Sequence, residues 1–222
     1  MHQYVRIIAL AVGTGLFGLL TGCQTVFQSI YGIRGLRQVP GPELRQLAKR
    51  YGIEQAQLVQ LDTSYRQFLA RQYNRDSVAV KNHYQPLQVS YYDATGQLRC
   101  FYVNCYAGGG FPNINWNYQG GLNQFPPAPQ APLDTILPLT TYLSYLRTPE
   151  GHLLPPQPAT DYTVVVQWSR FMGRQSRRLI EATKRNGMLA QGQSVRLLFV
   201  SNDNLQAYVY EQQDRRDAAR RK

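Results

Sequence analysis

Residues 162–200 constrain the fold more than any other part of this chain. Tyr162-Thr163-Val164-Val165-Val166-Gln167-Trp168 is a β-branched, mostly apolar run, the composition of a strand covered on both faces. Ser169 can cap a helix reaching about Asn186. Its Phe171, Leu179, Ile180 and Ala182 fall toward a core, while Arg174, Arg177, Arg178, Lys184 and Arg185 fall toward solvent. Residues 195–200 then read as a second buried strand. Strand, long helix and strand in succession make a βαβ unit, which calls for a parallel pair joined by a right-handed crossover. The chain is therefore expected to be α/β, with its other strands joined to this sheet.

Earlier segments supply those strands. Pro42 suits the first turn of a short helix with Leu44, Leu47 and Ala48 on one face, which Gly52 stops. Residues 57–62 alternate as a strand. Asp62, Thr63 or Ser64 can cap a helix whose apolar face is Tyr65, Phe68, Leu69 and Tyr73, with more helix around Val78 and Val80. Residues 87–92 and 98–103 flank the turn Asp93-Ala94-Thr95-Gly96 and read as a hairpin. From about 107 to 160 the texture changes to Gly, Pro, Asn and Gln. Asp134 is the single charge between residues 101 and 146. So long an irregular stretch is an insertion, functional or with minor structure of its own, and a short helix is expected within 136–146 carrying Tyr142 and Tyr145.

The N-terminus carries an address. Met1-His2-Gln3-Tyr4-Val5-Arg6 is basic, and residues 7–22 are uncharged and largely apolar, the layout of a secretory signal peptide. Leu20-Thr21-Gly22-Cys23 resembles the lipobox of bacterial lipoproteins. That resemblance implies cleavage before Cys23 and a diacylglycerol on its thiol, which holds a protein on a bilayer without a spanning helix. The apolar run is shorter than a membrane-spanning helix needs and is diluted by glycine. Gln24 at the next position implies, by the same resemblance, the outer membrane, facing the periplasm. The expected organisation is a lipoprotein signal peptide at 1–22 and a tether at 23–40. A single domain at 41–204 carries the insertion, and a basic C-terminal tail follows at 205–222.

The formal charge is +11, concentrated at the C-terminal end, where residues 168–222 hold twelve Lys/Arg against five Asp/Glu. An exported chain does not meet nucleic acid. Such charge instead suits a solvated terminus, or contact with anionic headgroups, envelope proteins or polyanionic envelope glycans.

A second resemblance concerns the βαβ unit. Val164-Val165-Val166-Gln167-Trp168-Ser169-Arg170-Phe171-Met172-Gly173-Arg174-Gln175 resembles the signature segment of the thioredoxin family. There an apolar strand and an aromatic-small-x-aromatic stretch lead into Cys-Gly-Pro-Cys at a helix start. Gln85-Pro86, with residues 87–98, resembles that family's cis-proline, strand and Asp-x-x-Gly hairpin, which implies a cis bond at Pro86. The two echoes occur in reversed order, as a rearranged thioredoxin-like mixed sheet with flanking helices would require. Met172 and Gln175 stand where the family has its redox cysteines, with Gly173 and Arg174 between them. Neither side chain can supply the thiolate that disulfide exchange needs.

Of three cysteines, Cys23 is assigned to lipid, which leaves Cys100 and Cys105. An oxidising compartment permits a bridge, but along a straight strand their Cα atoms would lie about 16 Å apart, against the roughly 7 Å limit for a disulfide. A bridge therefore requires the strand to stop near Tyr102 and turn. Other chemistry is sparse. His83 and His152 lie in connector sequence without metal-ligand spacing, so neither a metal nor a cofactor is expected, and there is no Gly-x-Ser-x-Gly elbow. Trp116, Tyr118 and Phe125, set among Asn and Gln, are candidates for a sugar- or peptide-stacking platform, or for tucking the insertion onto the domain. The expected function is a non-catalytic, membrane-anchored envelope lipoprotein with a binding or scaffolding role. The alternative is an envelope thiol–disulfide oxidoreductase using Cys100 and Cys105.

Overall fold

The computed structural model describes residues 33–221 except 111, 112 and 157. The expected signal peptide, Cys23 and most of the expected tether lie outside the described residues. Six strands form one mixed sheet in the order β3-β2-β5-β6-β1-β4: β1 (Leu58–Leu61), β2 (Gln88–Asp93), β3 (Leu98–Val103), β4 (Leu146–Arg147), β5 (Tyr162–Trp168) and β6 (Val195–Ser201). β5 and β6 pair in parallel through Val165↔Leu198, and β6 and β1 in parallel through Val200↔Val59. β2 runs antiparallel to both β5 and β3, and β4 runs antiparallel to β1. The helices are α1 (Gly41–Arg50), α2 (Tyr65–Gln72), α3 (Ser77–His83), α4 (Leu139–Ser144), α5 (Gly173–Gly187) and α6 (Asp203–Arg220).

Strand periodicity divides the core in two. Val164, Val166 and Trp168 join Val89, Tyr91 and Phe199 on one face, covered by Leu44, Leu47 and Ala48 of α1 and by Leu179 and Ile180 of α5. Val165 joins Val59, Leu61, Leu198 and Val200 on the other face, under Tyr65, Phe68 and Leu69 of α2, Val80 of α3, Tyr142 of α4 and Leu205 of α6. Successive side chains of a strand point to opposite faces, so a run of valines buries both.

Tyrosine fills much of the second face. Tyr65 stacks on Tyr142 at 5.8 Å between ring centres, and the buried Tyr92 hydroxyl donates to the Leu137 carbonyl at 3.0 Å. A tyrosine can line an apolar layer if its hydroxyl finds an acceptor, as that of Tyr92 does, whereas the buried Tyr65 hydroxyl has no partner among the described residues. Tyr73, expected on the α2 core face, is exposed because α2 ends at Gln72, before that position completes another turn.

The insertion adheres to the sheet. Ile114, Trp116 and Leu122 sink into the first core layer. The Asn186 amide at the end of α5 donates to the carbonyls of Leu122 (2.9 Å) and Gln124 (2.7 Å), and its oxygen accepts from Tyr91 (3.0 Å). Farther on, Ala131 N–H donates to the Phe101 carbonyl (2.9 Å) and Gln130 Oε1 accepts from Val103 N–H (3.0 Å). These bonds cover the otherwise unpaired edge of β3.

Residues 205–220, expected as a tail, continue as α6. Leu205 and Ala207 are buried and hold its first turns to the domain, whereas its later residues are largely exposed. The end of the expected tether is also docked, with Val39 buried and its N–H donating to Asn204 Oδ1 at 2.7 Å. No helix among the described residues is long and apolar enough to cross a membrane.

Candidate functional site

The parallel strands β5 and β6 are followed by helices on opposite faces, α5 on the first and α6 on the second. In open α/β sheets the crevice at the carboxyl ends of two such strands is the usual ligand position. In this protein, residues 169–172 and 202–204 form it.

A buried carboxylate organises that crevice. Asp203 Oδ2 accepts from Arg170 N–H (2.7 Å) and from Ser201 Oγ (3.1 Å), while Oδ1 accepts from Phe171 N–H (3.2 Å). Burial pushes the Asp203 carboxyl above its ordinary value despite these donors. Ser169 Oγ accepts from Met172 N–H (3.1 Å), and Ser176 Oγ both accepts from Ser169 N–H (3.1 Å) and donates to the Ser169 carbonyl (2.7 Å). The turn is thus tied down from both sides. α5 begins at Gly173 rather than at Ser169, and Gly173 has φ +41°, a value that favours glycine.

The positions aligned with the redox motif lie largely in the interior. Met172 and Gln175 are 6% and 1% exposed, Gly173 is buried, and only Arg174 faces solvent. Residues 34–39 then cross the mouth of the crevice. Arg34 N–H donates to the Phe171 carbonyl (3.0 Å), Arg170 Nη1 to the Gly35 carbonyl (2.8 Å), and Asn204 grips Val39. The chain's own N-terminal segment occupies the place where a substrate would approach.

Pro86 does reach this end of the sheet, since its carbonyl accepts from Asn202 Nδ2 at 2.9 Å. The expected cis bond is corrected, however: among the described residues the cis peptide bond is Phe125–Pro126, and Gln85–Pro86 is trans. Asn202 also donates to Gln167 Oε1 (3.1 Å), so the proline segment is held by an amide bridge.

The disulfide is corrected as well. Cys100 and Cys105 are both free, the first buried and the second exposed. After a bulge at Arg99, β3 continues through Val103, so Cys100 stays on the interior face of a strand while Cys105 lies past its end. Burial pushes the Cys100 thiol up to about 12 and also raises Cys105. A thiol shifted upward carries little thiolate at neutral pH.

The three candidate aromatics do not form one platform. Trp116 is core, and Phe125 packs edge-on against Tyr91 and Tyr162. Tyr118 alone is exposed, and it lines a cleft of about 380 Å3 with Tyr102, Tyr106, Gln119, Pro129 and Gln130. The backbone shapes this cleft: a Cβ on Gly121 would lie 2.5 Å from the Tyr102 hydroxyl, and one on Gly108 would lie 2.3 Å from the Tyr118 ring. Sequence reading missed Tyr102 and Tyr106 because strand alternation places them on a sheet face or its exit, with no sign that the insertion returns beside them.

His83 is not a loop residue. It is buried, stacks on Phe101 and contacts Asp134 at 3.0 Å, which holds that carboxyl below its usual range against the opposing effect of burial. Among the described residues no group of three or more His, Cys, Asp or Glu is placed to hold a metal ion. The chain matches no known protein-family model, no curated protein and no solved structure.

Proposed function

We propose that this protein is a non-catalytic lipoprotein of the bacterial envelope, held at the outer membrane by lipid on Cys23, with a rearranged thioredoxin-like domain that binds or scaffolds. The sheet order supports the thioredoxin-like reading. A parallel β5-α5-β6 unit with the antiparallel β2–β3 hairpin on the far side of β5 is the arrangement that the resemblance implies. Placing the hairpin before the unit accounts for the reversed order of the two sequence echoes.

One observation carries the non-catalytic reading. The β5–α5 turn, where such a domain would hold its reactive thiols, is fixed by Asp203 and covered by residues 34–39, with buried Met172 and Gln175 at the motif positions. The thiol–disulfide alternative draws no support from Cys100, which is buried and pushed away from its thiolate form. For binding, the tyrosine cleft offers aromatic faces, amide side chains and proline, a lining suited to a sugar or an extended peptide.

Two measurements on the full chain test this reading. Insulin reduction should show no turnover, and turnover lost on Cys100→Ser/Cys105→Ser would establish the enzyme instead. A photoreactive residue at Tyr118, in the native host, should form discrete adducts with an envelope component. The same group at Tyr73, equally exposed just past the end of α2, should not. Equal labelling from the two positions, or none at Tyr118, would remove the cleft from the account.

A further inference from the structure

A second cavity, of about 250 Å3, lies beside the β5–α5 turn and is lined by Arg34, Arg50, Tyr51, Arg174 and Arg177 together with Leu47 and Gly173. The four arginines come from three separate segments: residue 34 on the docked N-terminal stretch, residue 50 at the end of α1, and residues 174 and 177 in α5. Among the described residues none of the four has a carboxylate within 4.0 Å, whereas Arg37, Arg45, Arg99, Arg147 and Arg170 all do. Glu43, whose charge Arg34 senses, is already engaged by Arg37 at 2.5 Å and by Arg170 at 3.8 Å. The first turn of α5 contains no acidic residue to offset them.

The fold positions one of these guanidinium groups and the backbone of a second. Arg177 sits over the Tyr51 ring at 5.6 Å, and Tyr51 is fixed edge-on to buried Trp168 at 5.3 Å. The backbone of Arg34 is held by the Phe171 carbonyl. Like charges brought to one concavity repel each other, and a fold that holds them there gains when an anion enters. Arginine's planar fork matches the oxygens of phosphate, often in pairs of parallel hydrogen bonds. The cavity is small for a drug-sized ligand and suited to a single headgroup.

We propose that this cavity binds a phosphate group, carried either by an anionic phospholipid headgroup or by a soluble phosphate ester. The inference extends the binding role proposed above by naming a ligand chemistry. Arg34 is eleven residues from Cys23. Even a fully extended tether therefore keeps the cavity within about 40 Å of the lipidated residue, and a slack one lets it reach the headgroups.

Calorimetric titration of the full chain in neutral detergent with inorganic phosphate, against chloride at equal ionic strength, tests the site. The parent should bind phosphate in preference to chloride, and Arg50→Gln/Arg177→Gln should weaken it by about tenfold or more, as expected when charge-assisted bonds are removed. These side chains are exposed and the stacking of Arg177 on Tyr51 is worth about 0.5–1 kcal/mol, so the variant should unfold within a few degrees of the parent. A control, Arg215→Gln/Arg216→Gln on α6, should bind like the parent. Competition by phosphatidylglycerol in nanodiscs, but not by phosphatidylcholine, assigns the headgroup; competition by glycerol 1-phosphate alone assigns a soluble ester. Phosphate binding no tighter than chloride, or unchanged in Arg50→Gln/Arg177→Gln, overturns the proposal. The phosphate titration needs no lipid on Cys23, so its failure leaves the anchoring reading untouched, and an unlipidated chain leaves the cavity untouched.

Discussion

Replacing Asp203 tests whether the β5–α5 turn is a fixed structural element. Asp203→Ala removes the acceptor of three donors: the Arg170 and Phe171 N–H groups and the Ser201 hydroxyl. A buried donor left unpaired costs about 1–3 kcal/mol, and the two N–H groups are only partly buried, so water recovers some of that loss. A net destabilisation of about 2–4 kcal/mol follows. At about 2–4 °C per kcal/mol for a domain of this size, the unfolding temperature should fall by roughly 5–15 °C.

Asp203→Asn separates charge from shape. It retains one acceptor oxygen, and its amide faces donors where the second oxygen had been, so it should cost less than Asp203→Ala, about 1–2 kcal/mol. The two proteins should also differ in pH dependence. The native Asp203 carboxyl lies above its unfolded value of about 3.9, because burial outweighs its hydrogen bonds. Its proton is thus held more tightly in the folded state. The resulting stabilisation is full below the unfolded pKa and is lost as pH rises through the raised folded value. Urea unfolding from pH 3.5 upward should therefore show the parent's advantage over Asp203→Asn shrinking with pH and then levelling. A loss below about 0.5 kcal/mol for Asp203→Ala, within the range of ordinary surface changes, would refute the reasoning. A pH-independent difference between parent and Asp203→Asn would do the same.

Two further outcomes follow from the cores. In native protein a thiol reagent should modify exposed Cys105 readily and reach Cys100 only on unfolding, since Cys100 is buried and its thiol is raised to about 12; equal rates at both would contradict the placement of β3. Asn186→Ala removes the amide that ties α5 to Tyr91 and the insertion. It should cost about 2–4 kcal/mol and speed proteolysis near Leu122, whereas an unchanged cleavage pattern would mean that the insertion is held by its apolar residues alone.

Much of the scaffold was legible because its signals are local. The valine run of β5, the hairpin turn at Asp93 and Gly96, and the apolar faces of α1 and α5 each declare themselves within a dozen residues. β4 spans two residues and carries no such pattern, and α6 shows only Leu205, Ala207 and Val209 before turning polar, which reads as a tail. The crevice was hidden for a different reason. Asp203 meets backbone N–H groups more than thirty residues away, and a donor that every residue possesses leaves no mark in sequence. The arginine cavity is assembled from three segments that look like ordinary solvated charge when read one at a time. Trp116 and Tyr118 show the same limit: two aromatics two residues apart, one core and one cleft, divided by how the insertion folds back.

The central claim is that a lipid on Cys23 holds a domain without redox chemistry at the envelope. An intact mass spectrum of the protein from its native membranes, alkylated under denaturing but non-reducing conditions, tests it most directly. The account predicts a chain of residues 23–222 carrying a diacylglyceryl group with a further acyl chain on Cys23, and alkyl adducts on both Cys100 and Cys105. A chain starting at Met1 with Cys23 alkylated, or a mature chain with Cys100 and Cys105 unmodified because they are bridged, would contradict it.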